Sequence, residues 1–424
     1  MRCERLTLSG GPAALAAELR ELVPPPESVR ETVAEIIARV RASGDDALRF
    51  YTRELDTGGS TPSALRVPDA ELDTAAERLS DELRAALRLA VGNVMRVAEP
   101  MVTRDQTVGF DGHDVRLREV AVDRAAIYVP GGRAPYPSTV VMGVVAARVA
   151  GVREIAVCSP PGSDGELDAT VLGACRLAGA SVAYRMGGAQ AIAALAYGSE
   201  TVSAVDVIVG PGNLYVQEAK RQVVGHVGID GFAGPSDLIL VAAAPAEELD
   251  AEALALDLLA QAEHGAGSIV IAISDSGELL NAFAERIESA PDTEAVVRLV
   301  QVSELEQALG ISEAFAPEHL QLAGAGAEAL ADQVRHAGCV LVGAASGTAF
   351  ADYVAGSNHV LPTNGAARFA SALSPHHFRR RISEVRIGEG ASALARAAAP
   401  LARAEGFELH AESMEARIHD NDGA

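Results

Sequence analysis

The chain has no tryptophan, and aromatic residues make up only 4% of its 424 positions. Base stacking needs aromatic rings, so this composition argues against a platform for single-stranded nucleic acid. Positive charge is also scarce: 35 Lys and Arg stand against 58 Asp and Glu, a net charge of −23. Nucleic acids and anionic membranes both attract a positive face, so neither is an expected partner. No run approaches 18 apolar residues, so no membrane-spanning helix is expected. No apolar h-region follows Met1-Arg2-Cys3-Glu4-Arg5, so no secretory signal is expected either. The four cysteines, Cys3, Cys158, Cys175 and Cys339, form no Cys-x-x-Cys, which leaves out a thiolate zinc cluster and a redox pair. Cys158 and Cys339 lie in apolar runs and read as small core residues, in keeping with a reducing cytoplasm. Two catalytic signatures are missing as well. Gly210 and Gly212 run into Asn213-Leu214-Tyr215, so no Gly-x-Gly-x-x-Gly marks a dinucleotide site. Without a Gly-x-Ser-x-Gly elbow, Ser236 in Ala233-Gly-Pro-Ser236 is not read as a nucleophile; its hydroxyl either faces a cleft or forms the turn.

What is present is length for at least two domains and a change of period along the chain. The first hundred residues read as helices. Pro24-Pro25-Pro26 closes a short one; Ser28 with Glu31 three residues on forms a capping box for a long one; Asp45 opens the next; two more follow over 69–98. From Arg124 the pattern alternates. Strands are predicted at 125–129, 154–158, 181–186 and 205–209, with helices at 138–150, 166–178, 189–197 and 213–224. A second alternating block starts at Asp237. Its strands lie at 237–241, 269–273, 297–302 and 339–342, with helices near 247–264, 276–289, 303–313 and 326–336. Strands without strict alternation, separated by helices, predict parallel βαβ units covered on both faces. The fold class is α/β: two doubly wound Rossmann-like parallel-sheet domains, a helical N-terminal segment and a small helical C-terminal tail. Expected boundaries are 1–26 for an N-terminal extension, 27–124 plus 237–380 for one α/β domain, 125–236 for the other, and 381–424 for the tail. Two consecutive doubly wound blocks suggest an old duplication, although no repeated sequence marks it.

Polar groups gather at particular points. Gln261 and His264 leave one face at the end of a helix that Gly265 stops, and together they offer half of a mixed N/O zinc site or, alternatively, a simple helix C-terminus. Pro317-Glu318-His319 sets a carboxylate beside an imidazole just before a strand, a pair suited to proton transfer or to a salt-bridged loop. Asp352 and the Glu405…His410 stretch add further donors. His376-His377 reads as a surface pair. Three Gly-rich loops, at Tyr128-Val-Pro-Gly-Gly132, Met186-Gly-Gly-Ala-Gln190 and Gly210-Pro-Gly-Asn213, stand at strand ends, where open α/β sheets bind ligands.

Taken with Glu218-Ala-Lys-Arg-Gln222, Gln261-Ala-Glu-His264, Ala316-Pro-Glu-His-Leu320 and Asn358-His-Val-Leu-Pro-Thr363, these segments resemble the histidinol dehydrogenases over almost the whole chain. The resemblance implies a zinc- and NAD-dependent oxidation of L-histidinol through the aldehyde to L-histidine, in histidine biosynthesis. It implies zinc ligands at Gln261, His264, Asp352 and His410, and a catalytic pair at Glu318 and His319. NAD contacts fall at Tyr128, Gln190 and Asn213, on the 125–236 domain. Substrate contacts fall at Ser236, His319, Glu405 and His410 beside the ligands, and the active site is shared in a homodimer. The sequence departs from the family in three places: Ser346–Ala351 before Asp352, Asp237 where the family prefers Glu, and Val94–Pro100. A related zinc- and NAD-dependent dehydrogenase acting on another small alcohol remains the alternative.

Overall fold

The structure, a computed structural model, describes residues 1–8, 10–22, 28–131 and 134–418. Its strands are β1 (Cys3–Thr7), β2 (Gln106–Phe110), β3 (His113–Ala121), β4 (Arg124–Tyr128), β5 (Glu154–Ser159), β6 (Val182–Arg185), β7 (Val207–Val209), β8 (Gly228–Ile229), β9 (Asp237–Ala242), β10 (Ile269–Ser274), β11 (Val296–Gln301), β12 (His319–Ala323), β13 (Cys339–Val342) and β14 (Arg379–Ile387). Two compact units result, residues 1–101 with 122–378 and residues 102–121 with 379–424.

The larger unit holds two parallel sheets. One runs β6-β5-β4-β7-β8 and the other β1-β11-β10-β9-β12-β13. Numbered within its own block, each sheet has the order 3-2-1-4-5, the doubly wound order with a switch point between first and fourth strands. Those are β4/β7 in one sheet and β9/β12 in the other. The alternation of β4 shows how both faces are covered: Ala125 and Ile127 join one core, Ala126 and Tyr128 the other. The first core packs under helices Asp69–Arg78, Asp81–Ala98, Pro137–Ala150 and Ala169–Ala178; the second packs under Arg30–Tyr51, Gly188–Tyr197 and Leu214–Val223. The six-stranded sheet is covered likewise. Pro12–Glu21 and Leu305–Phe315 lie over Ile239, Ile271 and Leu320, while Ala251–Ala262 and Gly277–Glu288 lie over Leu238, Val270 and Leu299.

Several expectations change here. Helices within 27–124 pack on the five-stranded sheet and not on the six-stranded sheet built mainly from 237–342, because their apolar stripes (Val33, Ile36, Val40; Leu72, Ala75) meet the five-stranded sheet's helices. Residues 1–22 are no extension: β1 pairs with β11 and Leu15 and Leu19 enter the six-stranded core. Ser28 is not a cap. The helix starts after Val29, which puts Glu31 one position short of the capping-box register, and no side chain caps it. Pro24-Pro25-Pro26 lies outside the described residues. Gly44, at φ 49 and ψ −128, breaks the long helix where Asp45 restarts it, and Asp45 accepts hydrogen bonds from Ser199 Oγ at 2.6 Å and the Thr201 N–H at 3.2 Å. The helix expected over 326–336 is one short turn, Ala325–Glu328, followed by a 3₁₀ turn, Ala331–Gln333.

The smaller unit is an antiparallel sheet, β14-β3-β2, with helices Ala391–Ala404 and Glu408–Glu415. Its three strands escape the sequence reading because they carry no apolar run: most of their residues are exposed or half-buried.

Candidate active site

The helix Leu305–Phe315 ends on Ala316, which takes the left-handed conformation (φ 52) and turns the chain through Pro317 into Glu318. Arg20 fixes that turn. Its guanidinium donates to the Phe315 and Ala316 carbonyls, stacks 3.5 Å over the Phe315 ring, and pairs with Asp237 at 2.7 Å. Asp237 in turn accepts from the Glu318 N–H, while its own N–H donates to Glu318 Oε2 at 3.1 Å. The two segments at the N-terminal ends of β9 and β12 are therefore tied together at Glu318.

The Glu318 side chain is buried. It accepts from Ser236 Oγ at 2.5 Å, and Ser236 accepts from Gln261 Nε2. Burial pushes the Glu318 carboxyl up to about 7, against the opposing pull of the neighbouring His319. His319 opens β12. Its Nδ1 lies 3.9 Å from Glu318 and its Nε2 3.3 Å from Asp352, yet neither ring nitrogen makes a hydrogen bond of good geometry. Burial lowers the imidazole's pKa, but Asp352 and Glu318 outweigh it and hold it above the ordinary value. Asp352 sits in a short helix, Thr348–Tyr353. Burial raises its carboxyl, and His319, His359 and His264 together bring it below the usual range. His359 Nδ1 bonds the Asp352 carbonyl at 2.8 Å and its Nε2 reaches Thr139 at 3.2 Å.

Ser236, Gln261, Glu318, His319 and Asp352 thus share one cluster, with His264 close enough to Asp352 to feel its charge. Glu405 and His410 belong to the smaller unit. Glu405 ends helix Ala391–Ala404, and the exposed His410 ring packs on Phe407 at 5.1 Å between centroids.

The second group lies at the C-terminal ends of β4, β6 and β7. Tyr128 Oη accepts from the Gly188 N–H at 3.1 Å. The Gly187 N–H donates to Asp56 at 3.2 Å, and so does Gln190 Nε2 at 3.1 Å. Gln190 Oε1 is buried without a partner. Burial pushes the Asp56 carboxyl up to about 6. Asn213 caps the next helix, accepting from the Val216 N–H at 3.2 Å. Gly210, at φ +116, lies so close to β4 that a Cβ there would overlap the Tyr128 carbonyl oxygen. Lys220, itself buried, bonds the Gly210 carbonyl and Asp230, each at 2.6 Å. Gly132 lies outside the described residues. Arg20 and Asp56 were invisible to sequence reasoning, since each meets its partners across more than a hundred residues and neither sits in a spaced motif.

A family model described as Histidinol dehydrogenase matches residues 24–418. The chain is 44% identical over 406 residues to a histidinol dehydrogenase of Natronomonas pharaonis, covering 92% of this chain and 94% of that one. It is likewise 44% identical over 399 residues to one of Synechococcus, covering 91% of each. Among solved structures, the histidinol dehydrogenase of Elizabethkingia anophelis superposes with a TM-score of 0.90 at 30% identity, over 98% of both chains.

Proposed function

The chain belongs to the histidinol dehydrogenase family, an oxidoreductase family, and from that premise we propose that it oxidises L-histidinol to L-histidine with two NAD. The observation that carries this reading is the buried pair Glu318 and His319, the ring nitrogens of His319 having no hydrogen-bond partner, so that its unprotonated one can take a proton. The balance is one alcohol, one water and two NAD⁺ giving one carboxylate, two NADH and three protons. His319 takes the hydroxyl proton as the alcohol becomes the aldehyde. Glu318, held near neutrality by burial and aimed by Ser236 and the Asp237 N–H, takes the proton of the water that adds to the aldehyde.

The donors suit zinc in kind: an imidazole nitrogen from His264 and oxygens from Asp352 and Gln261. Gln261 Nε2 is taken by Ser236, which leaves its Oε1 as the amide's ligand atom. The imidazole of His410 would add a second nitrogen donor to the set. The orphaned Gln190 Oε1 at the ends of β4 and β6 suits a hydrogen-bond donor of NAD. When bound, zinc holds the substrate's nitrogens as a Lewis acid and NAD accepts two electrons at each oxidation. We assign Glu405 and His410 of a second copy to the same site, making a homodimer with shared active sites.

NADH release by metal-loaded protein given L-histidinol or a panel of small alcohols tests the reaction; preference for another alcohol would contradict it. His264→Ala should lose its metal, and full zinc by metal analysis would refute the ligand set. Mixing inactive His264→Asn with inactive His410→Asn protein should restore about a quarter of wild-type activity if tails cross between copies. No recovery after demonstrated subunit exchange would refute the crossing.

A further inference from the structure

We propose that Asp56 is a positioning residue for the cofactor: its carboxylate fixes the Gln190 amide so that Oε1 stands ready to accept from a donor-bearing group of NAD. The inference rests on the reading that NAD enters this crevice.

Asp56 ends the π-helical turn Thr52–Asp56, which follows helix Arg30–Tyr51 and closes through the Thr57 N–H on the Thr52 carbonyl. That turn carries the carboxylate to the start of helix Gly188–Tyr197, where it receives the Gly187 N–H and Gln190 Nε2. A carboxylate only accepts hydrogen bonds. Facing Asp56, the amide must therefore present nitrogen, and its oxygen turns toward Gly188, where an added Cβ would stand 2.6 Å from it. Gln190 is fully buried, and this oxygen has no partner. Buried acceptors are ordinarily satisfied, so one held open beside a helix start points to a ligand.

The same contacts select which part of the cofactor can come here. Two backbone donors of the helix start are taken, Gly187 by Asp56 and Gly188 by Tyr128. A diphosphate, which has only acceptors, cannot donate to Gln190 Oε1 and would face the Asp56 carboxylate. A ribose hydroxyl or the nicotinamide carboxamide has the N–H or O–H that Oε1 needs. Asp56 is thus a specificity element: beside Gln190 it disfavours a phosphate and favours a neutral donor.

Protonation undoes the arrangement. A protonated Asp56 can donate to Oε1, and the amide then loses its fixed direction. The ionisable groups facing Asp56 are Tyr128 from β4 and Cys158 from β5, and burial keeps both protonated across neutral pH; helix Gly188–Tyr197 contributes no charge. Asp56 itself loses its proton near pH 6.

The test is NADH binding, followed by its fluorescence between pH 5 and 8 without turnover, on wild type, Asp56→Asn and Gln190→Ala. Asparagine can keep the Gly187 contact through Oδ1 while its amide nitrogen donates to Gln190 Oε1, so the free acceptor is lost. Wild type should bind NADH about five- to tenfold more weakly at pH 5 than at pH 8, the worth of one hydrogen bond. Asp56→Asn should show the weak value throughout, with no inflection near pH 6, a raised KM for NAD and kcat within twofold. Wild-type affinity for NADH followed by Asp56→Asn at every pH, with Gln190→Ala still weakened, overturns the positioning role. Undiminished binding in both variants overturns the crevice reading itself. Should Asp56→Asn fail to fold, wild type decides, since a flat pH profile also overturns the proposal.

Discussion

The two sheets of the larger unit have the same strand order but carry their polar clusters at opposite ends. In the five-stranded sheet the cluster stands beyond the C-terminal ends of β4 and β7, where an open α/β sheet ordinarily binds ligands. In the six-stranded sheet the backbones after β9 and β12 run close together at that end. Gly324 follows β12 at φ +91, and a Cβ there would stand 3.0 Å from the Ala243 carbonyl; the Ala243 N–H bonds the Ala323 carbonyl directly. Its polar groups gather at the other end, on Asp237 and His319, the first residues of β9 and β12. Each end also holds a largely buried carboxylate in a similar way, Asp56 at one and Glu318 at the other. Asp56 accepts one backbone N–H and one side-chain donor, from Gly187 and Gln190; Glu318 accepts one of each from Asp237 and Ser236. Burial raises both, to about 6 and about 7. What separates them is His319, whose free nitrogen lies 3.9 Å from Glu318, while Asp56 has no imidazole beside it. Burial keeps a carboxyl near neutrality, but a neighbour that can pass the proton on makes it a base.

The largest effect should therefore follow from neutralising the carboxylate at the N-terminal end. Glu318→Gln should lower oxidation of supplied histidinaldehyde by roughly 10²–10³-fold while sparing oxidation of histidinol to the aldehyde, measured as separate half-reactions. Equal loss in both would erase the distinction drawn between Glu318 and His319.

Next come the two glycines. Gly210→Ala adds left-handed strain to overlap with the Tyr128 carbonyl, at a cost on the order of 3 kcal/mol, and should weaken NADH binding as well. Gly324→Ala should cost about 1–2 kcal/mol through strain. It lies at the far end of β12 from His319, so kcat/KM should stay unchanged. Thermal melts and NADH titrations on both variants check this; lost activity in the Gly324 variant would mean the two ends of the sheet are coupled.

Asp56 gives a pH-dependent effect of comparable size. Its folded pKa, about 6, lies above the ordinary 3.8, so the folded state favours the protonated acid. Stability from this group is full below pH 3.8 and is lost as pH rises through 6, on the order of 3 kcal/mol in all. Asp56→Asn should accordingly raise Tm at pH 8 and leave it nearly unchanged at pH 3.5. A destabilised variant at pH 8 would show that the carboxylate is better satisfied than its two hydrogen bonds suggest.

These contrasts also mark what was legible in the sequence. Strands such as Ile269–Ser274 are apolar on both faces and bounded by turns, and their burial follows directly. Cys3-Glu4-Arg5-Leu6-Thr7 has no such run, because an edge strand beside β11 leaves residues such as Glu4 and Arg5 exposed. Glu318 and His319 were legible as adjacent residues of chemical character, and Gln261 with His264 as one helix face. Asp56 and Arg20 were not, since their roles exist only once distant segments meet. The Gly-rich loops were legible as strand ends, but not that Asp56 and Tyr128 would take the backbone donors of one of them.

The smallest effect separates a cap from a contact. Asn213 at the five-stranded sheet and Ser276 at the six-stranded sheet each cap a helix, accepting from Val216 and Leu279 N–H at 3.2 and 3.3 Å. Losing either cap to alanine should cost about 1 kcal/mol, read as a fall in Tm. If Asn213 only caps, its alanine variant should match Ser276→Ala in stability and keep wild-type affinity for NADH. A contact to NAD at Asn213, as proposed, requires more: Asn213→Ala should weaken NADH binding severalfold, while Ser276→Ala leaves it alone. Asn213→Ser then divides the two roles. Serine caps as well as asparagine, so Tm should recover, but it lacks the amide, so NADH affinity should not. Recovery of both would reduce Asn213 to the same structural part that Ser276 plays in the other sheet.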